Sequence, residues 1–168
     1  TLHHTRPLAI AWQVGAHLRR LSDGVAWSLR GDYSRVYPYT YSIANGQDFS
    51  FAGFPTGFPL GPDVDVWSAR LEWRPNAQWA CGLEGSNTRK GANLLGQAWQ
   101  LGQPVPSRFV LTFAPEQDVR VAVTADWSPS PSVTLAAAGG SAQLHSRRHV
   151  YLDDANGAFA TARATFRW

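Results

Sequence analysis

The chain has 168 residues, enough for one domain with its own core, and it contains 15 Gly, 11 Pro and 8 Trp but no Met. The Gly and Pro residues fall between apolar runs rather than inside them, which is typical of all-β proteins and not of helical ones. The formal charge of +3 comes from scattered arginines, with Lys90 as the single lysine, whereas a nucleic-acid-binding protein usually carries a basic stripe. We therefore expect no nucleic-acid partner.

Other classes of protein are excluded by residues that are missing or isolated. One cysteine, Cys81, excludes an internal disulfide framework and a four-cysteine zinc site. The chain contains no run of about 18 apolar residues, which a membrane helix would need. Residues 1–7 do not have the composition of a signal peptide. The histidines at 3–4 and 145–149 lack a carboxylate at ligand spacing, so we predict no metal site and no cofactor.

Alternation of apolar with small or polar residues at every second position predicts the first strand at residues 8–20. Trp12 and Leu18 share one face of this strand, whereas Gln13 and His17 share the other. Its length is what a tilted strand needs to cross a bilayer.

Turn residues divide the rest of the chain into strands of similar length. Asp23-Gly24 is a common pair in tight hairpins, and Pro75-Asn76 begins a second short turn. Short turns at 21–24, 75–78 and 129–132 alternate with longer loops at 38–63, 91–118 and 147–157, an asymmetry typical of outer-membrane β-barrels. The further predicted strands are 25–37, 64–74, 79–90, 119–128, 133–146 and 158–168.

Aromatic residues are placed where the two rims of a membrane barrel need them. Those beside the short turns are Trp27, Trp73, Trp79 and Trp127. Those toward the opposite strand ends are Tyr33, Tyr37 and Tyr39. A soluble sandwich or lipocalin-like barrel also alternates, but its polar face carries Lys, Glu and Thr rather than small residues with spaced charges. The sequence therefore predicts an all-β, antiparallel transmembrane β-barrel in the bacterial outer membrane, with outer-membrane lipid as a partner.

The predicted strand number, about seven, is odd. A single-chain bacterial barrel has an even number of strands, and unpaired edges within lipid leave backbone groups unsatisfied. We therefore expect residues 1–168 to form the C-terminal strands of a larger barrel, with no second domain. The apolar alternation that ends at Trp168 resembles the C-terminal signal of outer-membrane barrels, so the barrel-assembly machinery is an expected partner.

Four motifs suggest a family. They are Asp32-Tyr33-Ser34-Arg35-Val36-Tyr37-Pro38-Tyr39-Thr40-Tyr41-Ser42, Pro59-Leu60-Gly61-Pro62-Asp63-Val64-Asp65, Leu71-Glu72-Trp73-Arg74-Pro75-Asn76 and Arg89-Lys90-Gly91. The series resembles the C-terminal half of capsule-assembly outer-membrane barrels of the Wzi-like family. The resemblance covers residues 27–91 and implies a larger monomeric barrel with a periplasmic helical part. It also implies a role in attaching capsular polysaccharide to the cell surface.

Charged residues of both signs alternate with the apolar face and are predicted to line the lumen. They form either a salt-bridge network that rigidifies the barrel or a selective lining for an anionic solute or sugar. These residues are Arg30, Asp32, Arg70, Glu72, Arg74, Glu84, Arg120 and Asp126.

Aromatic residues of the first long loop are candidate ligand-binding residues. They would stack on a saccharide or pack the loop over the barrel mouth. These residues are Tyr37, Tyr39, Tyr41 and Phe51.

We expect the protein not to be an enzyme. The adjacent pair His145-Ser146 would point to opposite faces of a strand, so the two side chains could not act together as catalytic base and nucleophile. The predicted function is attachment or assembly of surface polysaccharide; the alternative is a passive pore or a small structural barrel.

Overall fold

The computed structural model describes residues 9–40, 50–51, 54–55, 59–92, 100 and 111–166. Nine strands are present in this part of the chain, seven of them long. Their bounds are β1 (Ala11–Ser22), β2 (Val25–Val36), β3 (Ser50–Phe51), β4 (Phe54–Pro55), β5 (Val64–Arg74), β6 (Trp79–Lys90), β7 (Glu116–Ser130), β8 (Val133–His145) and β9 (Ala155–Phe166). A short 3₁₀ turn, Arg147–His149, lies between β8 and β9.

The seven long strands form one sheet in the order β1-β2-β5-β6-β7-β8-β9, and every neighbouring pair is antiparallel. Strands β3 and β4 pair separately with each other in the first long loop. The prediction of an antiparallel all-β protein with seven main strands is confirmed. Within the described residues the sheet is open, because β1 and β9 each pair with one neighbour only. No helix in this part of the chain is long and apolar enough to cross a membrane.

Short turns join the strands at one end of the sheet, here called the short-turn end. Asp23 and Gly24 both have positive φ, 49° and 79°, as a two-residue type I′ hairpin turn requires. In the second short turn, Asn76 Oδ1 accepts hydrogen bonds from the backbone N–H groups of Gln78 (2.9 Å) and Trp79 (3.0 Å). These turns set the strand register, and the longer connections lie at the opposite end, the long-loop end.

The two faces of the sheet differ sharply in chemistry. Leucines align from strand to strand on one face, here called the apolar face, where Leu29 is opposite Leu71 and Leu71 is opposite Leu83. These large side chains are exposed: Leu71 is 43% and Leu83 50% accessible. Trp12, Trp27, Trp67, Trp73 and Trp127 all lie on this face. The other face, here called the charged face, carries the intervening polar residues.

Buried apolar residues are concentrated at the long-loop end. Val36 and Val64 are opposite each other on β2 and β5, are 1% and 0% accessible, and have Val66 packed against them. Leu111, which lies within the second long loop, is also buried. In the described residues the core therefore lies where the long loops meet the sheet, while the middle of the sheet is exposed on its apolar side.

Candidate functional site

The charged face carries every residue that the sequence predicted for the lumen. The strand register places Arg30, Arg70 and Glu84 side by side across β2, β5 and β6. On the same face, Asp32 is opposite Ser68, and Arg120 is opposite Ser86. The shared face follows from the two-residue period of a strand, which the sequence already displays.

This face is concave. One cavity of about 400 Å³ is lined by Arg70 of β5 and also by Thr161 and Arg163 of β9, although three strands lie between β5 and β9. Side chains from such distant strands border one cavity because the sheet curves toward its charged side. The apolar face is consequently the convex one.

A chain of ion pairs runs along β5 and across to β6. Arg74 Nε lies 2.6 Å from Glu72 Oε1, and Arg70 Nη2 lies 3.4 Å from Glu72 Oε2. Arg70 also pairs with Glu84 on β6. The predicted salt-bridge network is therefore present on this part of the face. Because its members are largely exposed, each pair contributes only about 0–1 kcal/mol to stability.

The remaining predicted charges are grouped differently. Arg30 Nε lies 2.8 Å from Asp32 Oδ2 on its own strand, and Arg120 Nη2 lies 2.6 Å from Asp118 Oδ2. Asp126 lines the same cavity as Arg163. The charges thus form separate local groups along the concave face rather than one continuous network.

A groove crosses the charged face at β1, β2 and β5. Its volume is about 440 Å³, and its polar lining includes His17, Arg19, Arg30, Arg70 and Arg74 together with Glu72. His17 is directly opposite Arg30, and Arg30 is directly opposite Arg70. Neither His17 nor Arg19 was predicted from the sequence as a lumen residue, although their odd positions in the first strand place them on this face.

The predicted aromatic ligand residues are only partly described. Tyr37 is half-buried, and its ring centroid lies 5.6 Å from the guanidinium carbon of Arg35. Tyr39 is half-buried with a positive φ of 63°. Phe51 lies in β3, paired with Phe54. Tyr41 lies outside the described residues, as does Trp168. The Tyr37 ring therefore contacts a charged side chain of β2, and its predicted role in ligand binding or loop packing stays a prediction.

A buried group of charges at the long-loop end was missed by the sequence analysis. Its members, Arg35, Asp63, Asp65 and Arg89, are here called the loop-end cluster. Asp65 accepts two hydrogen bonds from Arg89, at 2.9 and 2.7 Å, and lies 3.5 Å from Arg35 Nη1. Arg35, Asp63 and Asp65 are all at most 4% accessible. The signal was available, because three charges occupy apolar-face positions on the neighbouring strands β2, β5 and β6.

The loop-end cluster connects the sheet to both long loops. Asp63 Oδ2 accepts a hydrogen bond from the backbone N–H of Thr112 (3.1 Å) and another from the Thr112 hydroxyl. The Asp63 carbonyl accepts from the N–H of Gly91 at 2.7 Å. Among the residues that the structure describes, Asp63 Oδ1 and both terminal nitrogens of Arg35 are buried without a hydrogen-bond partner. One carboxylate thus holds the ends of two long connections against the strands.

Comparison of the chain with protein-family models, with curated proteins and with solved structures finds no match.

Proposed function

We propose that this chain is a portion of the wall of a transmembrane β-barrel in a bacterial outer membrane. The observation that carries the proposal is the sorting of side chains between the two faces of the curved sheet. Exposed Leu, Val and Trp side chains cover the convex face, and the charged residues of the middle of the sheet lie on the concave one. A barrel wall in lipid needs this polarity, since its outside contacts hydrocarbon and its inside contacts water.

Aromatic rows at the two ends of the apolar face support a membrane position. At the short-turn end, the rings of Trp79 and Trp127 stack with centroids 5.8 Å apart. Toward the long-loop end, Trp12 and Tyr33 make an edge contact at 5.1 Å, and Trp67 is opposite Tyr33. Amphipathic rings favour the interface between hydrocarbon and water, so rows at both margins of an apolar band are typical of a barrel.

The directions of the two edge strands, β1 and β9, support a barrel that is closed by further strands. Because all six pairings are antiparallel, β1 and β9 run in the same direction. Closure by antiparallel pairing therefore needs an odd number of additional strands between them. In lipid the exposed backbone groups of both edges require partners. The proposed wall is thus part of a barrel with an even strand number, and the apolar alternation of its last strand supports insertion by the barrel-assembly machinery.

We propose attachment or assembly of cell-surface polysaccharide as the role of this barrel. The support is the motif resemblance of residues 27–91 to capsule-assembly barrels, together with the aromatic residues Tyr37 and Tyr39 at the long-loop end. Aromatic rings bind the apolar faces of sugars by stacking. The contact surface would be the first long loop and the adjoining mouth of the barrel.

A passive pore is the second candidate, and the placement of arginines on the concave face favours it. Arg30, Arg70, Arg74 and Arg120 all lie on this side, where they would act on a passing anion. A pore selects by charge in its lumen and is sensitive to salt, whereas a binding surface selects by stacking and hydrogen bonds.

The membrane proposal is tested on the purified full-length protein. We expect it to require detergent, to be rich in β-structure and to migrate differently on gels before and after heating. A monodisperse, water-soluble monomer obtained without detergent would overturn the proposal.

The two roles are separated by two sets of substitutions. Changing Tyr39, Tyr41 and Phe51 together to Ala should abolish surface glycan retention and leave bilayer conductance intact, with folding checked by heat-modifiability. Changing Arg30, Arg74 and Arg120 to Gln should lower the anion selectivity of the bilayer conductance if the protein is a pore. If retention survives the aromatic substitutions and anion selectivity follows the arginines, the pore is the correct role.

A further inference from the structure

We propose that the groove across β1, β2 and β5 is a binding site for anionic groups, namely the carboxylates or phosphates of a solute or glycan. The inference rests on the proposed function in one respect, that the concave face borders a water-filled lumen. It goes further by assigning a single site, on the β1–β2–β5 side of the concave face, that binds carboxylates or phosphates. Its residues are His17, Arg19, Arg30, Arg70, Arg74 and Glu72, here called the arginine groove.

The dimensions of the groove fit a small ligand group. Its volume of about 440 Å³ falls within the range of small-molecule sites, about 300–1,000 Å³. The arginine side chains that line it are accessible: Arg30 is 64% and Arg74 57% exposed. A sugar residue with a charged substituent therefore fits the space and reaches the guanidinium groups.

The charge of the groove is unbalanced. Arg19, Arg30, Arg70 and Arg74 line it, and Glu72 is the single carboxylate among its described lining residues. Glu72 is shared between Arg70 and Arg74. No ion pair or hydrogen bond joins the side chain of Arg19 or His17 to another described residue. Donors for an added anion therefore remain on β1, beside the paired residues of β5.

The strand register brings like charges together at the centre of the groove. Arg30 is directly opposite Arg70. Like charges directly opposite each other in a sheet are destabilising. Their carboxylate partners lie to the sides, with Asp32 beside Arg30 and Glu84 beside Arg70. An anion bound between the two guanidinium groups would relieve this repulsion.

Guanidinium geometry favours oxyanions over neutral sugars. Each guanidinium presents paired N–H donors that match the two oxygens of a carboxylate or phosphate. The groove differs from the rest of the concave face in the number of arginines that line it, four in all, whereas Arg120 stands apart from them in a pair with Asp118 at 2.6 Å. The geometry therefore points to one site on the β1–β2–β5 side rather than to a uniform ring of charge.

The test is titration calorimetry on the full-length protein in detergent, with three probes. Glucuronate supplies a sugar carboxylate, inorganic phosphate supplies a phosphate, and glucose is the neutral control. We expect binding of at least one anionic probe, no binding of glucose, and weaker binding as sodium chloride is raised. Tighter binding of glucuronate than of phosphate identifies a carboxylate ligand, and the reverse order identifies a phosphate ligand.

Substitutions locate the site. Arg30→Gln should weaken binding of the anionic probe by about tenfold, which corresponds to about 1.4 kcal/mol. The double substitution of Arg19 and Arg30 to Gln should weaken it further. The matched control is Arg120→Gln, which makes the same charge change on the same face outside the groove and should leave the dissociation constant unchanged. Equal weakening by Arg120→Gln and Arg30→Gln, or no binding of either anion, would overturn the proposal.

Failure of this inference is distinguishable from failure of the proposed function. If the protein depends on detergent and is heat-modifiable but binds neither anion, the membrane barrel stands and the proposed anion site is wrong. If the protein is water-soluble but binds glucuronate through Arg30, the membrane barrel is wrong and the anion site stands.

Discussion

Gly91 lies so close to Asp63 that a β-carbon at Gly91 would be 1.9 Å from the Asp63 Oδ2 atom. The same carboxylate is buried and accepts hydrogen bonds from Thr112. Glycine is therefore required at this position because of close approach rather than backbone conformation. The contact joins the end of β6 to the residue that precedes β5.

Gly91→Ala should lower the free energy of unfolding by about 1–3 kcal/mol, since the methyl group must displace a carboxylate held in a packed environment. The measurement is urea unfolding followed by tryptophan fluorescence. The control is Gly157→Ala on β9, where a β-carbon meets nothing within 4 Å. If both substitutions have the same effect, the close approach of Gly91 and Asp63 is not a feature of the folded protein.

Arg35→Met should destabilise the protein by about 3–5 kcal/mol, because it leaves Asp63 and Asp65 buried with less compensating charge. The exposed Arg120→Met, whose side chain is 63% accessible and pairs with Asp118, should cost less than about 1 kcal/mol. Unfolding curves of the two variants give the comparison. A small effect at Arg35 would show that the loop-end cluster is hydrated rather than buried.

Leu71→Arg should cost about 2–4 kcal/mol if the apolar face contacts lipid, since it places a charge near the middle of a membrane strand. Ser68→Arg on the same strand should be tolerated, because Ser68 lies on the charged face directly opposite Asp32. Refolding yield and unfolding in lipid vesicles measure both. Equal tolerance at the two positions would contradict the assignment of the apolar face to lipid.

The connection between β8 and β9 should loosen in acid. Asp154 accepts a hydrogen bond from the Ser146 N–H at 3.0 Å and lies 3.2 Å from His145 Nδ1. The hydrogen bond from the Ser146 backbone, and then that from His145, lowers the pKa of Asp154 below its usual range. A carboxylate whose pKa is lowered by folding stabilises the folded form above its unfolded pKa, about 3.9, and this contribution disappears as pH falls through the folded value.

Amide hydrogen exchange at Ser146 measures this loosening. Protection should be constant above about pH 4 and should decline below it. Asp154→Asn should remove the pH dependence, because an amide does not titrate in this range. A Ser146 exchange profile that is the same in both proteins after correction for the intrinsic rate would rule out the role of Asp154.

The strands and their faces were predictable because a two-residue period survives along each of them. The predicted start of β7 was three residues late, at 119 instead of Glu116, and that of β9 was late by the same amount, at 158 instead of Ala155. Both starts are polar or small, so neither contributes to the apolar alternation. The loop-end cluster was missed for another reason: alternation places Arg35 and Asp65 on the apolar face but does not show that they are buried. The groove required the register of β1 against β2, which brings His17 opposite Arg30.

The placement of the short turns has an evolutionary consequence. Because turns such as Asp23-Gly24 set the pairing of neighbouring strands at one end of the sheet, the long connections at the other end are not needed to keep the strands aligned. Insertions and sequence divergence there are tolerated as long as the anchor formed by Asp63, Gly91 and Thr112 is retained. The protein can therefore acquire new surface specificities at the long-loop end while inheriting the same sheet, with selection acting separately on the two ends.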